Sequence, residues 1–268
     1  MDIFVDNLVQ IWDDQGDGIV ALDGINHHFR SGKLTCLLGP SGCGKSTLVQ
    51  IVGGIEKATS GAIRIVDPAN PSAPSAQPGQ RSVMMWQNLN LFPWRNVIDN
   101  VTFGPEMLGV AKDTRYERAR ELIALVGLKN FELKQCSQLS GGMRQRVALA
   151  RALIMDQPIL LMDEPFAALD AQTKIVMQEE LARIFELTRK TIVFVTHAID
   201  EAILLGDEVV VMTARPGRIK EVITVNLPRP RSQDLVNTAE FGELYDRILH
   251  LIREEVLNSM AQQNEAVA

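Results

Sequence analysis

The chain has 268 residues, 46% hydrophobic and 22% charged, which is ordinary for a globular protein and enough for a sizeable core. A formal charge of −6 offers no broad basic face for nucleic acid or anionic lipid, and no apolar run approaches the roughly 18 residues of a membrane span. Cys36, Cys43 and Cys136 make neither a CxxC pair nor a disulfide framework, which suits a reducing cytosol. The acidic opening MDIFVDNLVQIWDDQGDG lacks the basic flank of a secretory signal, so any membrane connection is expected through a partner.

In chain order, KLTCLLG is the first short apolar run that predicts a buried strand. GPSGCGKST follows it and fits G-x-x-x-x-G-K-[ST]. Its glycines let backbone N–H groups curl around phosphates, while the next helix points its positive end at them. Gly39, Pro40, Ser41, Gly42, Cys43, Gly44, Lys45, Ser46 and Thr47 are therefore expected to hold a nucleotide. Lys45 would reach the β- and γ-phosphates, and Ser46 would offer its hydroxyl to Mg²⁺. The Pro- and Ser-rich segment 68–80, PANPSAPSAQPGQ, cannot build a core and reads as an exposed loop between strands. Gln87, at the end of RSVMMWQ, is uninformative by itself.

Residues 88–155 read as a helical subdomain inserted in the α/β core. Within it, Thr114 and Glu117 resemble a capping box, followed by Ala119, Leu122, Ile123 and Val126 and a stop at Gly127. QLSGGMRQRVALAR predicts a helix with Val147, Ala150 and Ile154 on one face and Ser140 as its N-cap. Gly141 and Gly142 weaken that start but open the backbone to an anion, so the sequence carries a second potential phosphate grip.

PILLMDEP, KTIVFVTH and DEVVVMTARPG are further short buried runs separated by helical patterns, so a parallel α/β sheet is expected. Asp163, at a strand's carboxyl end, would hold Mg²⁺. Glu164 cannot face the same way and would project toward the attacking water; alternatively it caps a turn before Pro165. A lone histidine after a strand is usually structural, but His197 follows TIVFVT at the sheet edge expected to carry the phosphates and would bond the γ-phosphate. After LPRPR, a last helix carries Phe241, Leu244, Tyr245, Ile248, Leu251 and Ile252 on one side, for docking on the parent domain or, less simply, on a partner.

Together these residues resemble the nucleotide-binding subunit of ATP-binding cassette (ABC) transporters, over nearly the whole chain. Trp12 stands in the place of the adenine-stacking aromatic, and residues 39–47 form Walker A. Gln87 matches the Q-loop, Leu139, Ser140, Gly141 and Gly142 the signature, and Asp163 and Glu164 Walker B. Ala168, Leu169 and Asp170 match the D-loop, and His197 the switch histidine. The resemblance implies a P-loop NTPase with a RecA-like parallel sheet core, an N-terminal antiparallel β subdomain and the inserted helical subdomain. The ATPase domain would span 1–227 and the helical extension 228–268.

It also explains the second grip. Two cassettes would meet head to tail, Ser140, Gly141 and Gly142 of one closing in trans on ATP held by the other. Ser46, Gln87 and Asp163 would hold Mg²⁺, Asp170 would lie at the nucleotide, and Glu164, His197 and Gln87 would serve hydrolysis. Met143 replaces the signature's commoner Gln, and Trp12 its commoner Tyr. LSGGMRQR, LFPWRNVIDNVTFG, TARPGRI and LPRPR resemble the importer branch for nitrate, sulfonates and taurine. Implied partners are a second cassette, membrane permeases that place the chain on the membrane's cytoplasmic face, and an extracytoplasmic binding protein. NLNLFPWRNV would line the permease groove, unless Phe92 and Trp94 simply pack inside the helical subdomain. A non-transport cassette ATPase or a nucleotide-gated regulatory subunit would carry the same phosphate loop.

Overall fold

Along β1 (Asp2–Trp12) alternate side chains turn inward, so Ile3 and Val5 are buried while Phe4 between them is only partly so, with Leu8 following after an irregularity. It pairs antiparallel with β2 (Ile19–Phe29) and β4 (Ser60–Val66), giving a sheet of order β2-β1-β4. The computed structural model describes residues 1–12, 18–167 and 169–267, with side chains to residue 260.

The short apolar runs form a second sheet. β3 (Leu34–Leu38), β6 (Ile159–Asp163), β7 (Thr191–Val195) and β8 (Glu208–Met212) are buried at every position, as strands covered on both faces must be. With β5 (Ser82–Met85) and β9 (Ile219–Thr224) the order is β5-β6-β7-β3-β8-β9, parallel except for the antiparallel edge β9. The strand period of two sorts side chains between the layers. Leu37 of β3 joins Ile3, Leu22 and Phe29 of the antiparallel sheet and Leu48 and Val49 of α1 (Lys45–Val52). Leu34, Cys36 and Leu38 face the other helices.

Between β5 and β6 the chain is helical, with α2 (Val97–Val101), α3 (Phe103–Met107), α4 (Lys112–Leu125) and α5 (Gly141–Leu153). The expected capping box at Thr114 and Glu117 is not formed. Helix α4 starts further upstream, after Ala111, without a side-chain cap. Asp113 in the first turn complements the helix dipole, and Arg115 secures the preceding turn by donating to Val110 O at 2.9 Å. Its other end stops as expected, with Gly127 at φ +70° just beyond it.

α6 (Ala171–Thr188) and α7 (Ile199–Leu205) complete this layer, and α8 (Ala239–Val267) closes over it. Phe241 and Ile248 of α8 lie in the same core cluster as the β3 residues, with Leu244, Tyr245, Leu251 and Ile252 against it. The 68–80 loop is mostly exposed but not detached. Ile65 N–H donates to Ser75 Oγ at 2.9 Å, and Ala76 pairs antiparallel with Ile65.

Candidate functional site

Because β3, β6, β7 and β8 are parallel neighbours, their carboxyl ends share one edge of the sheet. The chain leaves β3 through residues 39–44 and enters α1 at Lys45. Gly42 and Gly44 sit at φ +78° and +93°, the left-handed conformation that curls successive N–H groups inward. A Cβ at Gly44 would stand 2.5 Å from Leu22 Cδ2, so the antiparallel sheet presses directly on the loop. Lys45 is buried, its Nζ donating to Gly39 O at 2.7 Å and Pro40 O at 2.9 Å.

Ser46 Oγ donates to Asp163 Oδ1 at 2.9 Å, joining α1 to the end of β6. Burial raises the Asp163 carboxyl above its ordinary pKa; Ser46 and Lys45 oppose the shift and Glu164 adds to it. Burial likewise pushes the Cys43 thiol up, against the pull of Lys45. Trp12, Ile19, Ala21, residues 41–47, Glu164 and Arg215 line a cleft of about 250 Å³.

Glu164 leaves β6 at φ +44°, which turns its side chain away from Asp163. Its N–H donates to Val195 O at 3.1 Å, fixing it against β7. Gln87 Nε2 donates to Glu164 Oε2 at 3.2 Å, and His197 Nδ1 lies 3.6 Å from the same oxygen. The turn-cap alternative for Glu164 does not describe this side chain, which engages residues from beyond two other strands. Carboxylate, amide and imidazole thus converge at the edge of the phosphate loop.

Ser140 caps α5 as expected, accepting from Met143 N–H at 3.3 Å. Ser140, Gly141 and Gly142 are not among the residues lining the cleft of their own chain. A Cβ at Gly142 would meet Thr173 Cγ2 at 2.4 Å, whereas one at Gly141 would meet nothing within 4 Å. Packing within the chain therefore gives no reason for glycine at 141. Asp170 also lies outside the cleft lining and caps α6, accepting from Thr173 N–H at 3.0 Å; that bond lowers its carboxyl pKa. Ala168 of the D-loop lies outside the described residues.

Phe92 packs on Phe103 at 4.5 Å between ring centroids, while Trp94 beside it remains 74% exposed. The two readings of that stretch therefore divide between its aromatics. Arg215 in the cleft wall takes no site role from the sequence, although it lies within TARPGRI. The available signal was positional, since it follows β8, the parallel neighbour of β3.

A glycine loop between a parallel strand and a helix, with an acidic strand end beside it, defines a P-loop nucleoside triphosphatase. The ABC transporter family profile matches residues 22–167. The chain belongs to that family, as its nucleotide-binding ATPase component. It is 46% identical over 256 residues to an uncharacterised ABC transporter ATP-binding protein of Methanocaldococcus jannaschii, covering 96% of this chain and 93% of that one. It is 37% identical to the nitrate import ATP-binding protein NrtD of Synechocystis over the full length of both. To the taurine import ATP-binding protein TauB of Burkholderia pseudomallei it is 44% identical, covering 75% of each. Among solved structures, the dimeric bacterial ABC transporter cassette MJ0796 superposes with a TM-score of 0.71 at 28% identity, covering 84% of this chain and all of that one.

Proposed function

We propose that the chain is the ATP-hydrolysing subunit of an importer for a small anion or organic solute, working as a dimer of cassettes beneath membrane permeases. The observation that carries this is the meeting of Glu164, Gln87 and His197 beside the phosphate loop, while the α5 N-terminus offers its open Gly141 elsewhere. Similarity to NrtD and TauB supports import, with a small anion such as nitrate or a small organic solute such as taurine as the cargo class. The dimeric MJ0796 cassette supports the pairing, and its post-hydrolysis form bound to ADP and Pi supports nucleotide in the cleft.

In this reading residues 1–227 form the ATPase domain, with the helical subdomain at 88–155 and the extension at 228–268. Trp12 stacks on adenine, and the N–H groups of residues 39–47 with Lys45 bind the phosphates. The donors at Ser46, Asp163 and Gln87 are oxygens, which fit Mg²⁺. Held by Ser46, Asp163 and Gln87, a bound Mg²⁺ would supply neutralisation of phosphoryl charge. Glu164 orients and polarises the attacking water, Gln87 holds that carboxylate, and His197 bonds the γ-phosphate. Ser140, Gly141 and Gly142 of the second protomer supply donors to the developing charge. Asp170, at the start of α6, serves the same interface.

No described helix is long and apolar enough to cross a membrane. Attachment to the cytoplasmic face through permeases, fed by an extracytoplasmic binding protein, completes the proposal; exposed Trp94 suits the permease contact. Glu164→Gln tests the site. ATP turnover should fall about 10²–10⁴-fold while ATP still binds and now holds a stable dimer. Unchanged turnover would remove Glu164 from its role, and failure to co-purify with integral membrane subunits would remove the transport assignment.

A further inference from the structure

The turn after β8 emerges beside the phosphate loop because β8 runs parallel to β3 as its neighbour. It is a fixed turn. Thr213 N–H donates to Arg218 O, and Arg218 N–H to Thr213 Oγ1, both at 2.9 Å. Gly217 N–H donates to Ala21 O and Gly217 O accepts from Asp23 N–H, both at 3.0 Å. A Cβ at Gly217 would stand only 2.0 Å from Cys43 O, so the turn backbone is pressed against the phosphate loop itself. Arg215, two residues earlier, is exposed, lines the cleft, and brings Nη2 to 3.4 Å from the place of a Cβ on Gly42.

The same turn is held from behind by the C-terminal helix. Ala214 N–H, buried, donates to Glu255 Oε2 at 2.8 Å. The other Glu255 oxygen accepts from Lys220 Nζ at 2.7 Å, and Lys220 also donates to Glu254 Oε2 at 2.6 Å. A buried N–H without that acceptor would have to move or stay unsatisfied. Arg215 is the next residue along.

We propose that Arg215 is a further nucleotide-binding residue, its guanidinium closing on the polyphosphate held by residues 39–47, and that Glu255 of α8 is the positioning residue that sets it there. A planar guanidinium fork matches phosphate oxygens in a way that it does not match a base already served by an aromatic. Its place against Gly42, within the curl of the loop, puts it on the phosphate part of the cleft. The C-terminal helix thereby acts on nucleotide affinity without touching nucleotide. The inference rests on residues 39–47 being the nucleotide site.

The experiment measures binding of ATP, and of adenosine by competition, to full-length variants. Arg215→Ala should weaken ATP binding about tenfold with adenosine unchanged. Arg215→Lys should recover part of it. Glu255→Ala should reproduce most of the loss, and Glu255→Gln, which keeps an acceptor for Ala214 N–H, should restore it. Adding Glu255→Ala to Arg215→Ala should cost no further affinity. Lys45→Ala separates the two levels of failure. If Lys45→Ala loses ATP but Arg215→Ala binds it normally, the Arg215 role is overturned and the nucleotide site stands. If Lys45→Ala binds normally, the nucleotide site itself is wrong. Additive losses from Glu255→Ala and Arg215→Ala overturn the positioning role.

Discussion

Asp163 and Glu164 are adjacent acids with separate tasks, and the backbone separates them. Glu164 adopts φ +44°, a conformation costing on the order of 1 kcal/mol for a residue with a Cβ, and its N–H bond to Val195 O helps to hold it there. Asp163 carries a different cost. Its pKa is raised by burial, so the stability gained from its neutral form is present in acid and lost as pH rises through the folded value. At neutral pH the buried carboxylate opposes folding of the nucleotide-free chain. Asp163→Asn should therefore raise the Tm of the free protein while abolishing Mg²⁺-dependent turnover; an unchanged or lower Tm would contradict the burial account. His27 runs the other way. Burial, then His28 and Arg30, lower its pKa to about 4, and its Nε2 has no partner among the described residues. Between about pH 6.5 and 4 the unfolded chain binds more protons than the native state, so stability present above that window falls across it by about 3 kcal/mol. Urea titrations of His27→Phe across the window should show that slope much reduced.

At the scale of elements, the loop bearing Phe92 and Trp94 is organised by one buried side chain. Asn100 of α2 accepts from Phe92 N–H at 2.8 Å and donates to Phe92 O and Arg95 O at 3.1 Å and to Asn96 O at 3.0 Å. Arg151 of α5 clamps the preceding residues through Leu89 O and Asn90 O. Asn100→Ala leaves several backbone groups without partners and should cost about 2–4 kcal/mol in unfolding free energy. It should also weaken permease association in a pull-down at temperatures where the cassette remains folded. The same scale shows where a local pattern misleads. Thr114 and Glu117 have capping-box spacing, yet α4 begins upstream of them, because spacing specifies a possible cap but not whether the chain before it has already turned helical.

For the whole molecule, the question is which chain completes each site. If the α5 N-terminus acts in trans, Lys45→Ala and Ser140→Arg should each inactivate the homodimer. Mixed in equal amounts they should regain roughly a quarter of wild-type turnover, through the one intact site of each mixed dimer. No recovery on mixing would place the signature in cis. Gly141 already separates the possibilities in part, since its own chain puts nothing within 4 Å of an added Cβ.

The phosphate loop, the strand-end acids and the signature helix were legible in the sequence because each is a contiguous stretch whose geometry is set by its own few dihedral angles. The uniformly apolar strands were legible for a related reason, since burial on both faces leaves no polar position to obscure the run. Gln87 was opaque alone: it becomes informative only when β5 lies beside β6 and brings it to Glu164, 77 residues away in sequence. Arg215 stood in the sequence only as part of TARPGRI, with no sign of its place at the cleft; its Glu255 support was hidden altogether, as was the return of Ser75 and Ala76 to β4. Those contacts depend on strand order and on where α8 comes to rest. That order is decided by the packing of all layers at once, which no single stretch of chain encodes.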